Sequence, residues 1–564
     1  MNGIEIIAKS IKSIGIEHIF GIVGVPITPI AYELQKIGME FYGFRNEQSA
    51  SYATSVVGYL SGKPGLCMTV SGPGMVHALP GLLNAQSNCW PMILMSSTVS
   101  TLERGKGGFQ ESDQMKQADP LCKKCYHVPS VDKFPAILVD AYLQSIKGRP
   151  GPVYIEIPSE IIQNKTLVYD NVNMPIGTPS VPYEPTDHIS ISGLVGYLLS
   201  ESKRPVIIGG KGAAMSRAEN ELREFVKTTG IPFLPSPMGK GLVPDDDPSV
   251  VSAARSMTLK NADIVLVLGA RLNWMFNYGN SPTFAENVQF LVVDVDVSEF
   301  RSTKNVTLLV QSDIKKFLVE ANKLVKENLI KFRNGGELLK WKEDLQKEML
   351  VKGKQLEDQM KQPQVSDSDY LGYHQVYGVL RDYLFTANNC RDYVFVNEGA
   401  NTMDIGRLCI PQFEARTRLD AGTLGTMGIG VGYALAASIV HRNPQRRVIC
   451  VQGDSAFGFS GMEMELAVRY QLPIVFVVIN NNGVYEGLEE KPSVSNANTL
   501  PPTSLSIDCR YDKMMESFGG TGYFISTLSS LTDICKQISS QSTQSPTLLN
   551  IKIKPSSIKP KIIH

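Results

Sequence analysis

Two short loops carry the densest chemistry in this sequence. Gly453-Asp454-Ser455 follows the apolar run 448–451, and Asn480-Asn481-Asn482-Gly483 follows the apolar run 474–479. Asp454 and Asn481 lie 27 positions apart, the length of one strand-helix-strand crossover. Both therefore emerge at the carboxyl edge of neighbouring parallel strands, where α/β folds bind ligands. The Asp454 carboxylate, the Asn481 amide oxygen and a loop carbonyl at Gly483 supply three hard oxygens for Mg2+, leaving octahedral positions for water and a diphosphate. The glycines let the backbone approach phosphates, and a helix expected to start near Gly461 adds the positive end of its dipole. Either loop alone is ordinary turn composition. Two of them, each ending a buried strand, point to a site.

Such loops need a scaffold, and the sequence supplies one. Short β-branched runs recur at 66–70, 153–157, 206–208, 264–268, 290–293, 448–451 and 474–479, each followed by Gly-rich punctuation and a helical pattern. Continuous apolar runs of this length are strands covered on both faces of a parallel sheet, so the class is α/β, with three doubly wound parallel-sheet domains. An internal duplication is visible. Gly58-Tyr59, Lys63-Pro64, the run 66–70, Ser71-Gly72-Pro73-Gly74, a helix, Pro91 and the run 92–95 match Gly432-Tyr433, Pro444, the run 448–451, Gly453-Asp454, a helix, Pro473 and the run 474–479. The domains expected are 1–165, 190–325 and 370–555. In the middle block Gly209-Gly210-Lys211-Gly212-Ala213 follows a strand, but it lacks the third glycine of a dinucleotide fingerprint. A tight turn and a phosphate cradle both remain open there. Linkers are expected at 164–185 and 332–369, the latter containing a solvated connecting helix over 338–360.

Composition excludes several classes. With 43% apolar and 20% charged residues, this is neither a disordered nor a fibrous chain. Fifty-five basic and 55 acidic residues cancel, which removes the electrostatic footprint of a nucleic-acid or anionic-membrane binder. No stretch reads as a lipid-facing helix, and the acid at Glu5 without a basic run argues against a secretory signal. Nine cysteines in 564 residues are too sparse for a disulfide framework. Cys122 and Cys125 form one CxxC with no second pair at zinc spacing, and they read as ordinary thiols.

The two loops together resemble the diphosphate and Mg2+ motif of the thiamine-diphosphate enzymes, GDG followed some 25 to 30 residues later by NN, with Ser455 in place of the last glycine. The resemblance spans nearly the whole chain and accounts for the duplication: a pyrimidine-binding domain, a central domain and a diphosphate-binding domain. It implies thiamine diphosphate and Mg2+ as cofactors, with Gly453, Asp454, Ser455 and Asn481 at the diphosphate. The resemblance also assigns Glu47, in Arg45-Asn46-Glu47-Gln48, to the aminopyrimidine ring. A carboxyl held there stabilises the imino tautomer, whose nitrogen removes the thiazolium proton. On residue type alone Glu47 reads better as a first-turn helix acid beside the dipole. Met427 matches the apolar residue that props the cofactor in its bent conformation, although by type alone it reads as core.

Longer segments narrow the resemblance to the branch holding oxalyl-CoA decarboxylase and 2-hydroxyacyl-CoA lyase: residues 20–27, Glu398-Gly399-Ala400-Asn401, Arg418-Leu419-Asp420-Ala421-Gly422, residues 453–463 and 269–274. In that branch the decarboxylase carries Tyr-Glu where the lyase carries Phe-Gln-Glu. This chain reads Gly108-Phe109-Gln110-Glu111. It has no evident C-terminal Ser-x-Arg at Pro555-Ser556-Ser557-Ile558-Lys559 to meet a substrate carboxylate. The resemblance thus implies a lyase cleaving 2-hydroxyacyl-CoA, including 2-hydroxy-3-methylacyl-CoA, to formyl-CoA and an aldehyde one carbon shorter. Gln110, Glu111 and Tyr485 are the residues expected to handle the hydroxyl and its proton. Oxalyl-CoA decarboxylation, an acetolactate-type carboligase with FAD, and a non-catalytic homologue are the alternatives. Arg271 and Lys211 are candidates for nucleotide phosphates in the central domain. Relatives bind the cofactor between subunits, which implies a homodimer or homotetramer. The lyases are peroxisomal, yet Ile562-Ile563-His564 is not a Ser-Lys-Leu address, leaving the cytoplasm as an alternative.

Overall fold

A computed structural model describes residues 1–163, 172–180, 188–300, 302–327, 332–366, 369–385, 392–442, 446–487, 500–540 and 545–555. The chain folds into three parallel sheets. The first holds β1 Ile19–Gly21, β2 Phe41–Gly43, β3 Gly65–Thr69, β4 Met92–Thr98, β5 Lys124–His127 and β6 Pro152–Pro158, in the order β2-β1-β3-β4-β6-β5. The central sheet holds β7 Val206–Gly209, β8 Phe233–Pro235, β9 Ile264–Leu268, β10 Gln289–Asp294 and β11 Val306–Gln311, in the order β11-β10-β9-β7-β8. The last holds β12 Tyr393–Glu398, β13 Arg418–Asp420, β14 Arg447–Gly453, β15 Ile474–Asn480, β16 Thr521–Ile525 and β17 Thr547–Lys552, in the order β13-β12-β14-β15-β17-β16. Renumbered within its own domain, the last order is the first order. The duplication read from the sequence is a repeated topology.

Strand residues alternate between two cores, as the period of two requires. In β14, Val448 and Cys450 face one core while Ile449 and Val451 face another. In β9, Ile264, Leu266 and Leu268 face the first of these and Val265 and Val267 a fourth. One core is shared by all three domains, running from Phe20 and Trp90 through Ile207 and Phe225 to Tyr433 and Phe476. Two-sided burial explains why these strands read as unbroken apolar runs.

Two expectations need correction. The helix Gly335–Met360 is not solvated throughout: Leu338, Trp341 and Leu345 are buried against the central domain, and Trp341 Nε1 donates to the Pro205 carbonyl at 3.2 Å. Three apolar residues at spacings of three and four inside a charged run are enough to dock one face. The segment at Gly461 is a single 3-10 turn, Gly461–Glu463, before a six-residue helix. The helix that opens directly at the site is instead Asp454–Phe457.

Candidate active site

In the last domain β14 and β15 pair in register, Gly453 opposite Ile479, so Asp454 and Asn481 leave adjacent strand ends. Their oxygens converge. The Gly483 N–H donates both to Asp454 Oδ2 (3.1 Å) and to Asn481 Oδ1 (3.3 Å), and the Ser455 N–H donates to Asp454 Oδ1 (2.9 Å). Asn481 is oriented from its other end, where Nδ2 donates to the Tyr485 carbonyl at 2.9 Å. No cationic side chain pairs with Asp454 among the described residues, and burial pushes its carboxyl up to about 7. The charged form loses hydration there that the surrounding N–H groups only partly replace. A Cβ placed on Gly453 meets nothing within 4 Å, so the strand end opens on space.

The neighbouring loop presents Met427, half-buried, between Gly425 and Gly428, both in left-handed backbone. Glu398, fully buried at the end of β12, grips that loop by accepting the N–H groups of Gly428 and Gly430, the latter at 2.6 Å. Burial raises the Glu398 carboxyl to about 7. Sequence reasoning quoted Glu398 within a motif but gave it no job. The same holds for Glu463, whose two oxygens accept the Arg45 N–H at 3.1 Å across the domain seam, two residues before Glu47.

In the first domain Glu47 opens the helix Glu47–Ser61, capped by Asn46 Oδ1 on the Gln48 N–H (2.7 Å). Its side chain is 13% exposed, with Oε2 3.3 Å from His77 Nδ1 and Oε1 lying 3.4 Å from the point where a Cβ on Gly74 would sit. Gln110 occupies the other side of the Ser71–Gly74 turn. Its backbone is left-handed (φ 57°), its Oε1 lies 3.5 Å from Ser71 Oγ, and its carbonyl oxygen sits 2.4 Å from where a Cβ on Gly72 would be. Gly72 is itself left-handed (φ 55°), so no other residue fits that approach. Glu111 turns away into its own loop, accepting the N–H groups of Gly105, Gly107 (2.9 Å) and Gly108 (3.0 Å). Tyr485 is 65% exposed. Glu47 and Gln110 thus meet around one turn, and Asp454, Asn481, Ser455 and Gly483 around another. Among the described residues no hydrogen bond or ion pair joins the two groups within one chain.

Family models agree with this division. Residues 1–117 match the thiamine pyrophosphate enzyme N-terminal TPP binding domain, 195–321 the central domain and 398–551 the C-terminal TPP binding domain. The chain belongs to the thiamine-diphosphate enzymes. It is similar to 2-hydroxyacyl-CoA lyase 1 of Dictyostelium discoideum, 56% identical with all of both chains covered. It is 39% identical to 2-hydroxyacyl-CoA lyase 1 of Mus musculus, over 99% of this chain and 95% of that one. Oxalyl-CoA decarboxylase of Escherichia coli (strain K12) is 37% identical, over 98% and 95%.

For a thiamine-diphosphate enzyme the residues present fit both the diphosphate and a divalent cation. Asp454 and Asn481 offer one carboxylate and one amide oxygen beside a flexible Gly483 peptide, which is a hard-cation set rather than a cluster of several acids.

A cavity of about 300 Å3 lies where the three domains meet, at the carboxyl edge of the central sheet. Arg149, Lys211, Arg271, Asp294 and Asp313 line it. Lys211 Nζ donates to Asn88 Oδ1 at 2.6 Å and is pushed down to about 8 by burial, while Arg271 donates to the Ser87 carbonyl at 2.6 Å. The Lys211 and Arg271 candidates therefore belong to one cavity. Arg149, from the first domain, and the strand-end acid Asp294 were missed, although an Asp closing the run 290–293 is a legible signal.

Proposed function

We propose that this enzyme is a thiamine-diphosphate-dependent carbon–carbon lyase that cleaves 2-hydroxyacyl-CoA, including 2-hydroxy-3-methylacyl-CoA, to formyl-CoA and a fatty aldehyde one carbon shorter. When bound, thiamine diphosphate would supply the nucleophilic carbon and the electron sink that cleavage of a carbon–carbon bond beside a thioester requires. Everything else falls to the protein. Asp454, Asn481 and the Gly483 backbone would hold Mg2+ at the diphosphate, Gly453 and Ser455 would let the phosphates approach, and Met427 would support the cofactor. Glu47 shares a proton with the aminopyrimidine ring. The observation that carries the substrate reading is Gln110, fixed in left-handed backbone against Gly72 of the turn whose Gly74 lies beside the Glu47 carboxyl. An amide there both donates to and accepts from a substrate hydroxyl without bringing a charge, which suits 2-hydroxyacyl-CoA and offers nothing special to a second carboxylate.

The tail segments expected to discriminate the decarboxylase, and the terminal tripeptide, lie outside the described residues. Assembly as a homodimer or homotetramer is supported by the separation of the two residue groups in one chain and by exposed apolar side chains in both domains: Val76 and Leu83 on the helix Pro73–Asn88 of the first, and Leu424, Phe459, Met462 and Tyr485 in the last. For the three-domain cavity the reading is an adenosine diphosphate moiety, either that of the CoA substrate or of free ADP. The Gly209–Gly212 turn and three cations suit phosphates, and Asp294 suits ribose hydroxyls. A role in fatty acid α-oxidation within peroxisomes follows from the substrate reading, with the cytoplasm as the alternative.

The test is a product assay with purified protein, thiamine diphosphate and Mg2+, following formyl-CoA, aldehyde and CO2 separately from 2-hydroxyacyl-CoA and from oxalyl-CoA. Aldehyde with formyl-CoA, reduced about tenfold or more by Gln110→Ala, is the expected result. CO2 from oxalyl-CoA without aldehyde would replace the reading by the decarboxylase.

A further inference from the structure

A carboxyl that must serve one ring nitrogen has a geometric difficulty: its two oxygens are equivalent until something distinguishes them. At Glu47 the distinction is made by His77. Its Nδ1 lies 3.3 Å from Oε2, leaving Oε1 over Gly74 at the mouth of the turn. His77 sits one turn into the helix Pro73–Asn88, which the Ser71–Gly74 turn opens, so the two groups are held by elements that meet at the same strand ends. Among the described residues no Lys or Arg lies within ion-pair distance of Glu47; Arg45, two residues away, is directed to Glu465 at 3.1 Å. This is chemically apt. A guanidinium or ammonium would hold the carboxylate charged and lower its affinity for the proton it has to share, whereas an imidazole Nδ1–H can donate a hydrogen bond without adding a permanent charge. Among the described residues no other histidine is paired with Glu47: His18, His374 and His441 are largely buried, His127 is bonded to Glu156, and His188 lies beside Glu320.

We propose that His77 is a positioning residue for Glu47, its Nδ1–H fixing Oε2 so that Oε1 alone addresses the aminopyrimidine nitrogen, with Nε2 turned outward as an acceptor. The inference rests on the cofactor assignment above, and it says nothing about which acyl-CoA is cleaved.

The experiment therefore reads steps that precede the substrate. Holoenzyme is prepared for wild type, His77→Ala and His77→Asn, with Glu47→Gln as reference. Three quantities are compared: cofactor dissociation constant by calorimetry, the near-ultraviolet circular dichroism band of the bound iminopyrimidine, and the exchange rate of the thiazolium C2 proton with deuterium. The imidazole is 64% exposed, so neither substitution threatens folding. The expected result for His77→Ala is exchange slowed about tenfold or more and a diminished imino band, with cofactor affinity changed less than about threefold. His77→Asn, which restores a donor, should recover most of the exchange rate. Wild-type exchange in His77→Ala would overturn the proposal, as would equal slowing in both variants or slowing explained by lost cofactor affinity. If exchange responds as expected while no 2-hydroxyacyl-CoA is cleaved by wild type, the substrate reading fails and this one stands.

Discussion

The first and last domains share a strand order and differ in what their strand ends carry. Asp454 and Asn481 follow β14 and β15; the equivalent ends of β3 and β4 lead into Ser71-Gly72 and Val99-Ser100, with no cation ligand. Conversely the helix after β2 begins with Glu47, while the equivalent helix after β13, Gly430–Val440, begins with a glycine. The two helices pack on each other closely enough that a Cβ on Gly432 would lie 2.9 Å from the Ser49 carbonyl oxygen. One scaffold, used twice, has thus been given two complementary halves of a chemistry. On the proposed reading neither half is sufficient: one would hold a diphosphate and its cation, the other would activate a ring.

Removing the first-domain half should have the largest effect. Glu47→Ala is expected to lower turnover about 1,000-fold with cofactor still bound, because loss of a positioned proton-transfer group costs on the order of 10² to 10⁴ in rate. Turnover with cofactor titrated to saturation measures it. Removing the last-domain half should instead appear in binding. Asp454→Ala is expected to weaken thiamine diphosphate about 100-fold in the presence of Mg2+, since it deletes the only carboxylate among the cation's ligands. Calorimetry with and without Mg2+ measures that. If Glu47→Ala chiefly weakened binding and Asp454→Ala chiefly slowed turnover, the division between the domains would be wrong.

A third prediction concerns the seam between the halves. Glu463 reaches from the last domain to the Arg45 N–H, and burial raises its carboxyl from an ordinary 4.5 to about 7. A group with a folded-state pKa above its unfolded value binds its proton more tightly when folded, so its contribution is complete below about 4.5 and is lost as pH rises through about 7. Wild type without cofactor should therefore lose stability between about pH 5 and pH 7.5, and Glu463→Gln should flatten that slope by an amount on the order of 2 kcal/mol. Melting temperature against pH, measured on both proteins, decides it.

What the sequence made legible follows from where the information is local. The Asp454 and Asn481 loops could be found because each ends a long apolar strand, and the duplication because glycine and proline punctuation survives in both copies. β1, β8 and β13 could not be found, since three residues are too few to display a period. Leu338, Trp341 and Leu345 were hidden by the charges around them. Residues that matter through long-range approach were hardest of all. Arg149 comes from the first domain to a cavity of the central one, and His77 looks like any polar residue on a helix until Glu47 is seen beside it.

The smallest expected effect tests two neighbours in one loop. Gln110 and Glu111 were grouped by the sequence as handlers of the hydroxyl proton, yet the fold separates them. Gln110 lies against Gly72 at the turn with Glu47, whereas both Glu111 oxygens are engaged by the N–H groups of Gly105, Gly107 and Gly108. Those backbone bonds, that of Gly105 foremost, hold the Glu111 carboxyl below its usual range, so it remains an acceptor through mildly acidic conditions and is poorly suited to carry a proton. Glu111→Gln keeps the shape but turns one acceptor into a donor facing donors, which should loosen the 105–108 loop and shift Gln110 slightly. Turnover and KM are expected to change by less than about threefold, the loop lying outside the reacting atoms. A loss approaching that of Glu47→Ala would mean that Glu111 leaves its loop during the reaction. The first domain would then supply two acids to the chemistry, and the contrast between the domains would have to be drawn again with proton transfer wholly on one side.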